Sequence, residues 1–153
     1  MGTFEARGGG WRCLVVAALA LLPAACADFG FSPRENQIIG VWTTSDKAQV
    51  SFREDTVVLS SPSGAATPIT ASECNGGFFF HYGRMTSQSL SGIAAAQPDV
   101  SKKLSAMLVA PVYPVAELGC DHGTSTYVML DDHDLVAIYR DRDVVGLDRM
   151  TRP

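Results

Sequence analysis

Two acidic, histidine-bearing stretches are the first places to look for chemistry in this chain. Cys120-Asp121-His122 and Asp131-Asp132-His133-Asp134 bring two imidazoles and four carboxylates close together in sequence. Such groups can ligate metals or move protons. Both stretches lie between apolar runs and read as hairpin turns. If residues 112–120, 125–130 and 135–139 make one meander, the turns fall at opposite ends of its middle strand. Six or more residues at ~3.3 Å each separate them by about 20 Å, too far to share one ion. The acidic turn alone offers hard oxygen ligands, but no Gly follows where an EF-hand loop needs one. Asp is a good turn residue in its own right, and a solvated turn is the expectation. His81, alone in the apolar run Phe78-Phe79-Phe80-His81-Tyr82, reads as a satisfied core residue and not as a base. Ser61-Pro62-Ser63-Gly64 lacks the strand-to-helix elbow of a nucleophilic serine. Gly8-Gly9-Gly10 lies near the N-terminus and Gly76-Gly77 opens a strand, so neither is a phosphate loop. The sequence therefore predicts no catalytic residue, no metal site and no cofactor.

The elements that carry these residues are mostly strands. Ile38–Thr44, Ala48–Arg53 and Thr56–Ser60 are rich in β-branched or alternating residues. A fourth strand is expected near Thr67–Ser72, before an Asn75-Gly76-Gly77 turn. Phe78–Tyr82, apolar on both faces, is expected to be central in the sheet. The period then changes. Leu90, Ile93 and Ala94 suggest a helix capped near Thr86 or Ser87. Pro98 and Asp99 suit the first turn of a second, with Val100, Leu104, Met107 and Leu108 on one face. Pro111 and Pro114 should stop it. The chain then returns to strands at Val112–Cys120, Ser125–Leu130, Leu135–Tyr139 and Val144–Met150. The expected fold is mainly β (α+β): an antiparallel sandwich or small barrel-like sheet with one helical insertion at about 87–110. At 153 residues and 46% hydrophobic composition, the chain has room for one cored domain and is not disordered.

Residues 1–27 look like a targeting segment. Arg7 and Arg12 precede an apolar core, Cys13 to Leu22, and the small residues of Pro23-Ala24-Ala25-Cys26-Ala27 follow. The apolar run to Ala27 is 15 residues, short of the roughly 20 that span a bilayer. Leu22-Pro23-Ala24-Ala25-Cys26 resembles the lipobox of bacterial lipoproteins, although Pro23 stands where the family usually carries an aliphatic residue. The resemblance implies that Cys26 becomes the lipidated N-terminus, anchoring the protein on the periplasmic side of the cell envelope. The alternative is cleavage after Ala25-Cys26-Ala27, releasing a soluble periplasmic or secreted protein that starts at Asp28. Either route leaves Cys74 and Cys120, an even number in an oxidising compartment, which reads as one disulfide. Residues 28–37 would be a tether and 38–153 a single domain.

Removing Arg7, Arg12 and Glu5 from the totals of 12 basic and 16 acidic residues leaves 10 and 15, a net of −5. That balance argues against nucleic acid as a partner. Gly40-Val41-Trp42 on the first strand is similar to the G-x-W of lipocalins, whose Trp closes the barrel floor under a late arginine. The resemblance implies a ligand barrel, with Arg140 or Arg149 in that role, although the helical insertion departs from the lipocalin order. The apolar helical stripe is expected to pack on the sheet, leaving its other face available. Arg140-Asp141-Arg142-Asp143 and Arg149-Met150-Thr151-Arg152 read as a solvated rim. The leading functional expectation is a lipid-anchored, non-catalytic accessory or scaffold protein with a protein partner in the envelope. Its competitors are a carrier of a small apolar ligand and a periplasmic inhibitor of a hydrolase. A small hydrolase using His81, His122 or His133 comes last.

Overall fold

The computed structural model describes residues 35–152, apart from 73, 75, 76, 121, 122 and 143. The expected leader with Cys26, most of the tether, and Asp121 and His122 lie outside the described residues. The chain runs β1 (Gly40–Thr44), β2 (Gln49–Phe52), β3 (Val57–Ser60), β4 (Ala66–Ile69) and β5 (Phe79–Thr86). The insertion follows as α1 (Ser87–Ile93) and α2 (Pro98–Met107). It ends with β6 (Val112–Cys120), β7 (Gly123–Met129), β8 (Asp134–Asp141) and β9 (Val144–Thr151). All nine strands join one antiparallel sheet in the order β4-β3-β2-β1-β9-β8-β7-β6-β5. The architecture is mainly β with one helical insertion, as the alternation predicts, and the sheet is open rather than a closed barrel.

Local chemistry explains the turns and helix ends. At the β1–β2 turn, Asp46 accepts from the Thr44 hydroxyl and, at 3.3 Å, from the Ala48 amide. Lys47 there takes φ 69°. Thr86 caps α1, accepting the Ser89 amide at 3.1 Å. Pro98 opens α2, where its missing N–H costs nothing, and Asp99 faces the positive helix end. Residues Ile38 and Ile39, expected in the first strand, precede it instead. Glu35–Ile38 is a 3-10 turn that packs against β5 and β6, and Ile38 is fully buried. Pro114, expected as a helix stop, belongs to β6 and lies just before the first β6–β7 pair, Val115 with Val128. A residue without an N–H is tolerated where that ladder has not begun.

The sheet folds over on itself. Phe52 of β2 meets Tyr127 of β7 edge to face, with ring centroids 4.8 Å apart, although three strands lie between them in the sheet. The enclosed face holds one core, including Trp42, Val50, Phe52, Val57, Ala116, Leu118, Tyr127, Met129, Leu135 and Met150. The opposite face of β6–β9 carries a second core, where Leu90 and Leu104 of the helices cover Tyr113, Val115, Val128, Val136 and Ile138. The helical stripe therefore packs on the sheet.

Two expectations about β5 are corrected. It is an edge strand, not a central one, and its outer face is partly exposed at Phe79 and His81. Its apolar outer residue has a specific use: Phe79 lies across its cross-strand partner Gly119, where an added Cβ would sit 1.9 Å from the ring. The bare backbone of that glycine is covered by the ring. Cys74 and Cys120 form the expected disulfide, with Cα atoms 5.2 Å apart and a separation of 46. It ties the segment leading into β5 to the end of β6.

Candidate functional site

Among the described residues, a cleft lies inside the fold of the sheet, between its two halves. The cleft has a volume of about 560 Å³, within the range of ~300–1,000 Å³ usual for small-molecule sites. One wall comes from β1–β4 through Thr44, Val50, Leu59 and Thr67. The other comes from β7–β9 through Ser125, Tyr127, Ala137, Tyr139, Asp148 and Met150. Strand register explains this selection. Cross-strand partners share a face, and Tyr127 opposes Ala137, which opposes Asp148, while Leu135 opposes Met150. Thr44 opposes Met150 across the short β1–β9 pairing, which puts β1 and β9 at the same lining.

The cleft is apolar with hydroxyl groups at intervals. Burial pushes the Tyr127 phenol above its ordinary pKa, partly countered by its hydrogen bond with Ser125. A neutral hydroxyl therefore sits in the wall. Tyr139 lies over Gly146, its cross-strand partner, where a Cβ would come within 2.1 Å of the ring. Only glycine leaves that room. Asp148, two residues along the same face of β9, is the single charged side chain lining the cleft.

Trp42 is fully buried at the base of the enclosed core, and its indole N–H donates to the Ile38 carbonyl at 2.8 Å. A guanidinium covers it: Arg152 Cζ lies 4.4 Å from the ring centroid. Arg152 Nη2 also donates to the carbonyls of Gln37, at 2.5 Å, and Ile39, at 3.3 Å. Gly40 has φ +137°, and a Cβ there would stand 3.5 Å from Arg152 Nη2. Gly40-Val41-Trp42 is thus a backbone conformation, a space for a cation and an indole beneath it. The arginine over the Trp is Arg152, not Arg140 or Arg149. Arg140 and Arg149 point to the outer face, where Arg149 forms a two-pronged pair with Asp134 at 3.0 and 2.7 Å. The expectation of a solvated rim at 149–152 fails for the same reason, since Met150 is buried and Arg152 packs on Trp42.

Of the remaining predicted residues, those described are not brought together. His81 is on the outer face, 56% exposed, and contacts Glu117 of the neighbouring strand at 3.0 Å. It is a surface residue and not the core histidine expected. His133 sits in the exposed turn at the other end of β7 from Gly123. In that turn Asp131 accepts the amides of His133 and Asp134 at 2.8 and 2.9 Å, which holds its carboxyl below the usual range. Both amides go to the same oxygen, Oδ1, which is thereby committed to the turn. Among the described residues no three His, Cys, Asp or Glu side chains are grouped to hold a metal ion. Arg152, Tyr139 and Asp148 were not legible as site residues. The one signal was Asp148 sharing a strand face with Met150, an acid on an apolar stripe. No protein-family model, no curated protein and no solved structure matches this chain.

Proposed function

We propose that this chain is a non-catalytic binding protein of the cell envelope that takes a small, largely apolar molecule into the cleft between β1–β4 and β7–β9. The observation that carries the reading is the cleft itself: about 560 Å³ of mainly apolar wall, with hydroxyls of Thr44, Thr67, Ser125 and Tyr127 spaced around it. A few polar groups in an apolar concavity are the usual makeup of a site that orients a small ligand. This favours the carrier over the scaffold, because the apolar helical stripe, the best candidate for a partner-binding face, is already used against the sheet. His81 and His133 stand apart on the surface, so among the described residues a hydrolase has no convergent set of groups.

The leader supports the location. A lipidated Cys26 on the periplasmic side would hold the domain at the membrane through several acyl chains, each methylene adding ~0.8 kcal/mol. The short stretch after Cys26 would then link anchor and fold. The Cys74–Cys120 bridge is in keeping with an oxidising compartment. Labelling cells with a fatty-acid analogue should mark the wild type and leave Cys26→Ala unmarked; label surviving that change would end the anchored reading. For the ligand, native mass spectrometry of the full chain taken from its membrane should reveal a co-purifying small molecule. That species should disappear in Leu59→Trp, which fills the cleft from a half-exposed position. A spectrum showing stoichiometric protein partners and no small molecule would return the scaffold to first place.

A further inference from the structure

We propose that the cleft selects a cation: an amine or ammonium group carried on a short apolar body, with Asp148 as its counter-ion. The inference rests on the cleft being a ligand site. Asp148 is the single charged side chain lining it, and neither Lys nor Arg faces it there. The carboxylate projects from the enclosed face of β9, flanked along that face by Gly146 and the buried Met150, and opposed across β8 by Ala137. Among the described residues it has no hydrogen-bond or ion-pair partner. Asp134 and Glu117, on the outer face, differ in this respect, since they are matched by Arg149 and His81. A carboxylate drawn partly out of water without a partner opposes folding. A bound ammonium offsets that cost and adds a charge-assisted hydrogen bond.

Tyr139 supplies the second element. Its ring lies over Gly146, on the same face as Asp148 and two residues from it along β9, so an aromatic surface stands beside the carboxylate. Aromatic faces attract cations. Among the described residues no second carboxylate, imidazole or thiolate is grouped with Asp148 to make up the three that would hold a metal ion. An anionic ligand would meet a like charge with no cation to receive it. An organic cation is the chemistry that fits: its head on Asp148 and Tyr139, its apolar part against Val50, Leu59 and Met150.

Calorimetric titration of the full chain with hexylamine, hexan-1-ol and hexanoate isolates head-group charge on a constant tail. Hexylamine should bind at least about tenfold more tightly than hexan-1-ol, the scale of one hydrogen bond to a charged group, and hexanoate most weakly. Asp148→Asn should erase the preference for the amine and keep the affinity for hexan-1-ol. Tyr139→Leu should weaken the amine more than the alcohol. Equal binding of amine and alcohol by the wild type, or tightest binding of hexanoate, would overturn cation selection while leaving the cleft as a ligand site. Binding of none of the three would remove the ligand site itself, and cation selection with it.

Discussion

The two walls of the cleft are built differently. Strands β6–β9 have 9, 7, 8 and 8 residues and are buried on both faces, by the enclosed core on one side and α1 and α2 on the other. Strands β1–β4 have 5, 4, 4 and 4 residues and bury the enclosed face alone. In β8 the residues Leu135, Val136, Ala137 and Ile138 are buried in succession, whereas β4 has no buried residue. Hydrophobic stabilisation scales with the apolar area removed from water, so the first wall is thick and the second thin. A site placed between them has one fixed surface and one that can yield. That is a suitable division for a binding cleft, since low local stability concentrates where few apolar contacts are made. The wall that presents Tyr139 and Asp148 is the thick one.

The disulfide offers the largest way to break this comparison. It joins Cys74, in the connection between the thin wall and β5, to Cys120 at the end of β6. The loop it closes spans 46 positions, for which the chain-entropy relation gives about 4 kcal/mol. Replacing both cysteines by serine should lower the unfolding free energy by about that amount. Non-reducing urea denaturation of the two proteins side by side checks it. A loss well below 1 kcal/mol would mean that the link between the halves contributes little.

Truncations within the two walls sharpen the contrast. Leu104 is fully buried between α2 and the outer face of β6–β9, so Leu104→Ala should cost about 2–5 kcal/mol. Leu59 of β3 is 40% exposed at the cleft, and Leu59→Ala should cost about 1 kcal/mol or less. Equilibrium unfolding of both variants tests the ratio. Equal costs would show that the walls are not thick and thin in energy.

The same difference explains what could be read from sequence. In the thick wall the apolar alternation is long, and Val112–Cys120 matches β6 residue for residue. The caps of α1 and α2 were legible because Thr86, Pro98 and Asp99 act on their immediate neighbours. What depends on distant pairing was not. Phe78–Tyr82 looks central because Phe79 is apolar, yet that ring covers Gly119 on a neighbouring strand and β5 is an edge. Arg152 follows β9 and reaches Trp42 only because β1, first in the chain, pairs with the last strand. Nothing local to either residue announces that pairing. The cleft depends on the folding over of the sheet, which a period of two does not encode.

The base of the thin wall gives a medium effect. Arg152→Met keeps much of the side chain's apolar length but removes the cation over Trp42 and the donors to Gln37 and Ile39. The expected cost is about 1–2 kcal/mol. Trp42 and Trp11 are the chain's two tryptophans, so emission from a Trp11→Phe background reports on Trp42 alone. A shift in that emission together with the lost stability is expected. Unchanged emission and stability would leave the Gly40, Trp42 and Arg152 arrangement without an energetic role.

The smallest effect concerns the latch by which the thin wall meets β5. Tyr82, on the enclosed face of β5, donates its phenolic hydrogen to the Arg53 carbonyl at the end of β2. Burial, and secondarily the nearby charge of Asp55, push its pKa up to about 12 from an ordinary 10.0. The folded state thus favours the protonated phenol. A group whose pKa is raised on folding contributes stability below its unfolded value and loses it as pH rises through the folded one. The contribution should therefore be whole below about pH 10 and fade towards pH 12. Thermal unfolding of wild type and Tyr82→Phe at steps across that interval checks it. The wild type should lose stability faster than the variant, which has no phenol to ionise, and the gap between them should narrow as pH rises. Parallel curves would mean that the hydroxyl does not couple the thin wall to β5.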